Sequence, residues 1–154
     1  MRSAFFQTPF EYHIETIDEE WTQGDLVKGK LAVRNLGKES KNLKEARLYL
    51  AYGVRKEVKT GAHDAWKVLE EKKIFRNLKL ETLQEERVNW NIQLKTDCSI
   101  TEKASSLFLL FGSENALIEG GRIDLKISLH PILQSFMQII IILLYQNLLL
   151  RIIK

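Results

Sequence analysis

Three histidines, one cysteine, one acidic triplet and two glycine-bearing turns are the groups of this chain that could do chemistry. His13, His63 and His130 lie far apart and fall on a polar strand face, in a turn and at a strand end. They read as surface or capping groups, because a metal site would bring a second His, Cys or carboxylate at close helical or hairpin spacing. An enzyme would have to work through His63-Asp64, but neighbours in a chain rarely face each other, and no nucleophile-elbow serine or cysteine accompanies them. Cys98 follows Asp97 in a turn, where a negative neighbour disfavours the thiolate, so it reads as an inert thiol. Asp18-Glu19-Glu20 lacks the spaced ligands of a calcium loop. Gly112-Ser113 and Gly120-Gly121-Arg122 lead into no helix that could cradle a phosphate and read as hairpin turns. The residue types therefore point to a non-enzymatic chain with no cofactor and no metal.

The composition narrows the class further. A chain of 154 residues, 45% hydrophobic and 28% charged, has the length for one well-formed core. Two of its 23 basic side chains, Arg151 and Lys154, lie in the last four residues, so the body before them is nearly neutral against 20 acidic groups. That balance lacks the clustered basic face of a nucleic-acid binder. A single cysteine excludes a disulfide framework and suggests a reducing compartment. The amino end has no apolar run of signal-peptide length. The expected location is cytoplasmic, with membrane association as a variant set by the tail.

The elements that would position any site are strands. From Gly24-Asp25, a turn suited to positive φ, Val27, Gly29, Leu31 and Val33 fall on one face while Lys28, Lys30 and Arg34 fall on the other. The same alternation recurs at Phe10, Tyr12 and Ile14, at Leu48, Leu50 and Tyr52, and at Val88, Trp90, Ile92 and Leu94. It returns at Leu107, Leu109 and Phe111, and again at Ile123, Leu125, Ile127 and Leu129. Residues 66–75 supply a seventh strand, although Trp66, Leu69 and Lys73 also fit one face of a helix. Short strands separated by turns predict an all-β, antiparallel immunoglobulin-like sandwich of about seven strands over residues 1–130.

Residues 131–154 differ. No charged residue occurs in 131–150, and Ile139, Ile140, Ile141, Ile142, Leu143, Leu144 and Tyr145 run without a polar interruption. An apolar helix is expected, and it has three readings. It could anchor the chain in a membrane through 132–153, given the roughly 20 residues a span requires. It could pack on a protein surface. It could be a truncated or frame-shifted continuation.

The turn and the strand order together resemble proteins of the arrestin fold, in particular the bacterial sporulation-control proteins and their relatives. Trp21, Gly24-Asp25, Val27-Lys28-Gly29 and Leu31-Ala32-Val33 stand where that family's amino-terminal lobe has an aromatic residue, a Gly-acid turn, Val-x-Gly and an aliphatic strand. Leu48-Tyr49-Leu50, the charged stretch 54–73, the aromatic strand Val88-Asn89-Trp90-Asn91-Ile92-Gln93-Leu94 and the strand 106–111 follow in the family's order. The likeness spans 10–130. Thr96-Asp97-Cys98-Ser99 replaces the family's proline-rich turn, and a second lobe does not follow. The resemblance implies an intracellular scaffold or adaptor lobe, cytoplasmic, that binds protein partners through sheet edges and loops. A tail-anchored membrane protein with a β-sandwich head is the alternative.

For such a lobe, edge strands offer unpaired backbone groups to a partner strand or to a second copy in a dimer. Lys28, Lys30, Lys56, Lys59, Lys72 and Lys73 would guard edges instead. Trp90 alternates with Val88 and Ile92 and is expected in the core. Trp66, beside Lys67, is the expected partner-binding anchor.

Overall fold

The computed structural model describes residues 1–61 and 64–152, with side chains of the last helix given at 131–146 and 148. In chain order the elements are β1 (Arg2–Gln7), β2 (Phe10–Thr16), β3 (Trp21–Thr22), β4 (Leu26–Asn35), β5 (Lys41–Val54), α1 (Arg55–Thr60) and β6 (Trp66–Leu80). There follow β7 (Glu85–Gln93), β8 (Ser105–Gly112), α2 (Ala116–Glu119), β9 (Gly121–Asp124), β10 (Ile127–Ser128) and α3 (Pro131–Ile152). One sheet has the order β1-β2-β4-β7 and the other β6-β5-β8-β9, both antiparallel. β1 lies near β9 and β6 near β7, so the two sheets stack as a sandwich.

Alternation along the strands builds the core. Tyr12, Ile14, Val27, Leu31 and Val33 from the first sheet meet Leu48, Leu50, Leu107, Leu109 and Phe111 from the second, all buried. Each such aliphatic or aromatic side chain contributes about 1.5–3 kcal/mol on leaving water. Trp90 is in this core as expected, only 5% exposed. Its register partner on β4 is Gly29. A Cβ at Gly29 would lie 2.5 Å from the indole and 2.1 Å from the Glu15 carbonyl oxygen. The Val-x-Gly spacing is therefore a packing requirement, in which a bare backbone makes room for a tryptophan. Gly24 has φ +89°, which meets the expectation for the turn before β4.

Buried Asn35 fixes the next turn. Its Nδ2 donates to the carbonyls of Leu80 at 3.0 Å and Glu39 at 2.8 Å, and its Oδ1 accepts from the Gly37 N–H at 2.8 Å. At the base, Gln23 Nε2 donates to the Cys98 carbonyl and Gln23 Oε1 accepts from the His130 N–H at 3.2 Å.

Several elements differ from the sequence reading. Residues 66–75 are strand, not helix, and that strand continues to Leu80. β1 is additional. Only Phe5 of its adjacent aromatics packs on the core, while Phe6 is 63% exposed, so no alternating pattern announces it. The run from Ile123 to Leu129 is two strands, because β9 leaves its sheet after Asp124 and β10 pairs in parallel with β3. The alternation survives the break because Ile123, Leu125 and Ile127 all face the core. The glycines at 112 and 120–121 do not form two hairpin turns; both flank one connection that carries α2.

Among the described side chains of α3, apolar residues lie on every side, with Gln134, Ser135, Gln138 and Gln146 between them. Every side chain from Pro131 to Gln146 is exposed, including the Ile139–Tyr145 run. Among the described residues no helix is long and apolar enough to cross a membrane.

Candidate partner-binding surfaces

Four surfaces could serve a partner: two outer sheet faces, the strand edges and α3. The centre of the outer face of the second sheet is already covered. Tyr49, Ala51, Phe108 and Leu110 point outward yet are buried, beneath Trp66, Ala116 and Leu117. Trp66 meets Phe108 edge-on, with ring centroids 5.2 Å apart at 74°. The Arg55 guanidinium lies 5.9 Å from the Phe108 centroid and pairs with Asp124. Trp66 is thus half-buried as the lid of this cluster, and Lys67, the next residue along β6, is exposed.

The outer face of the first sheet is polar. Cross-strand register lines up Phe6, Glu11, Arg34 and Glu85 in one row. Ala4, His13, Ala32 and Arg87 form the next, and Arg2, Glu15, Lys30 and Asn89 the third. The two alanines sink the middle row, leaving an open trough of about 850 Å³. Its charges alternate in sign, with Arg2 3.4 Å from Glu15 and Arg87 paired with Glu85, and His13 Nε2 lies 3.0 Å from the Glu11 carboxylate. Such a mixture neutralises itself and builds no field of one sign.

The remaining residues considered for chemistry are scattered. His130 Nδ1 accepts from the Ile132 N–H at 3.3 Å, and Glu20 reaches Lys126 at 3.6 Å. The Cys98 thiol is free, and its pKa is pushed up by burial and by the charge of Asp97. His63 lies outside the described residues. Among the described residues no group of three His, Cys, Asp or Glu side chains converges as a metal site would require.

The edges differ sharply from one another. β6 carries Lys67, Lys72, Lys73 and Lys79, and its pairing with β5 is broken by two register shifts. Arg47 Nη2 meets Glu45 at 2.5 Å, Lys73 reaches the same carboxylate at 3.0 Å, and Arg47 Nη1 meets Glu71 at 3.0 Å. These two cations hold the Glu45 carboxyl below its ordinary pKa. Lysines and bulges are the devices that keep an edge from pairing.

β7 has neither. It contains no Lys, Pro or Gly and pairs with β4 over nine residues without a shift. The Lys28 carbonyl accepts from the Ile17 N–H at 2.9 Å on the side away from β7, so Lys28 and its register partner Asn91 do not bond each other. At the strand ends the Gln84 carbonyl accepts from Asn35 at 3.0 Å and the Leu94 N–H donates to Asp25 at 2.9 Å. Even positions thus face β4, and the backbone groups of Glu85, Arg87, Asn89, Asn91 and Gln93 point outward. Lys72 Nζ, reaching over from β6, donates to the Asn91 carbonyl. Sequence reasoning named edges in general but not this one. The signal available was the absence of Lys, Pro and Gly from 85–93.

No family model matches the chain, and no curated protein matches it in sequence. Among solved structures it superposes on the sporulation control protein Spo0M from Bacillus subtilis with a TM-score of 0.68 at 14% identity, over 89% of this chain and 56% of that one. The CARDB domain of the PF1109 protein from Pyrococcus furiosus, solved in complex with di-metal ions, gives a TM-score of 0.43 at 9% identity, over 82% of this chain and 89% of that one. A β-glucosidase from Listeria innocua gives 0.46 at 10% identity, over 77% of this chain and 16% of that one. The likeness to Spo0M gives the chain an arrestin-like β-sandwich fold, and the chain spans about half of Spo0M's length.

Proposed function

We propose that this chain is a non-enzymatic binding lobe, an intracellular scaffold or adaptor that engages protein partners by strand addition and through its loops. The observation that carries the reading is β7: five residues with outward backbone donors and acceptors on a regular edge that has no Lys, Pro or bulge of its own and is crossed by Lys72 at the Asn91 carbonyl. Each main-chain bond supplies affinity independent of sequence, while alternate side chains supply selectivity. The likeness to Spo0M supports the fold on which such an edge sits. A selection of extended peptides on the full-length chain tests the reading, with the site mapped by amide hydrogen exchange. Ligands that slow exchange along β7 support it; ligands that map only to α3, or a selection that yields none, contradict it.

A second reading is attachment to a membrane surface through α3, without crossing it. It is favoured by α3, whose described side chains are exposed and predominantly apolar on every side, since a helix of that kind is stable only when covered. Failure of the full-length chain to float with lipid vesicles would contradict it.

A further inference from the structure

The edge of β7 is suited to one occupant in particular. We propose that it pairs with the β7 edge of a second copy of this chain, antiparallel about a two-fold axis through Asn89. This inference rests on the binding-lobe reading and names its partner. An antiparallel ladder bonds residues pairwise, so the outward positions must meet outward positions. A two-fold on Asn89 does this over the whole strand. Asn89 meets itself, Arg87 meets Asn91 of the second copy, and Glu85 meets Gln93. Five pairs exchange about ten hydrogen bonds, and β1-β2-β4-β7 becomes half of a continuous eight-stranded sheet.

Charge selects the register. With the axis at Asn89 every ionised side chain of the outer face lies opposite a neutral amide, so no like charges meet. Moving the axis to Arg87 sets two guanidinium groups against each other and shortens the overlap. Moving it to Asn91 leaves Glu85 and Arg87 without partners. The other edges offer less: β9 has four residues, β1 has six, and β6 carries the lysines and bulges. Lys72 is the competitor, because it occupies the Asn91 carbonyl that the Arg87 N–H of the second copy needs.

Sedimentation of the full-length chain in non-ionic detergent, which keeps α3 covered, tests this. The wild type sediments as a dimer. Asn89→Lys and Asn89→Glu, each placing like charges opposite, raise the dissociation constant about fivefold, and their equimolar mixture recovers at least the wild-type value. Lys72→Met lowers it by freeing the Asn91 carbonyl. The two charged variants occupy an exposed position, so folding is preserved. A wild-type monomer, or a dimer indifferent to all three changes, overturns the proposal. In either case peptides that protect β7 would leave the binding-lobe reading standing, and their absence would remove both.

Discussion

Replacing Gly29 with alanine is the sharpest test of how the sandwich is packed. The new methyl would sit 2.1 Å from the Glu15 carbonyl oxygen and 2.5 Å from the nearest carbon of the Trp90 indole. Both distances are well under van der Waals contact, and neither neighbour yields easily. Glu15 O belongs to the backbone of β2, and Trp90 is only 5% exposed. Overpacking of a filled core costs about 1–3 kcal/mol, and a contact with backbone places this change at the top of that range. For a domain of this size about 3 kcal/mol lowers the melting temperature by roughly 10 °C. The gain in helix or strand propensity from glycine to alanine, at most about 1 kcal/mol, does not offset it. Urea titration followed by tryptophan fluorescence measures the difference. Adding Trp90→Leu should recover part of the loss, because the indole contact is relieved while the Glu15 contact remains. If Gly29→Ala is within about 0.5 kcal/mol of wild type, the account of the Val-x-Gly spacing is wrong.

Tyr12 is fully buried, its hydroxyl finds no hydrogen-bond partner among the described residues, and burial pushes its pKa up to about 12. The unfolded chain ionises first, so stability present below pH 10 falls by about 1.4 kcal/mol per pH unit as pH rises toward 12; Tyr12→Phe should be neutral or stabilising at pH 7 and should remove that fall in alkaline denaturant titrations. Glu45 has a lowered pKa from Arg47 and Lys73, so its contribution is present above the ordinary carboxyl pKa and is lost as pH falls through the folded value. The stability gap between wild type and Glu45→Gln should therefore shrink in acid, measured by melting temperature across pH. Trp66→Ala should cost about 2 kcal/mol by uncovering Phe108 and Tyr49, with increased binding of an apolar dye as the readout.

Much of this fold is legible in the sequence because a two-residue period survives wherever one sheet face is buried. Val27, Gly29, Leu31 and Val33 show it, and all four are buried. The period fails to report the outer layer where burial is two-sided. Every residue of β8 is buried, since Phe108 and Leu110 face the cover of Trp66 and α2, and no alternation marks that second layer. It also fails at β1, where one inward aromatic is too few to form a pattern. The edge of β7 is written mostly in residues that are missing. The direction of its backbone groups depends on pairing with β4, which one strand's sequence does not contain.

Amide hydrogen exchange along β7, residue by residue, tests the central claim most directly. In the free chain at low concentration, Glu86, Val88, Trp90 and Ile92 should exchange slowly because they bond to β4, while Glu85, Arg87, Asn89, Asn91 and Gln93 exchange fast. Raising the concentration, or adding a selected peptide, should slow the odd positions and leave the even ones unchanged. Protection that appears without this odd-even alternation, or that spares β7 while partners bind elsewhere, would contradict the account.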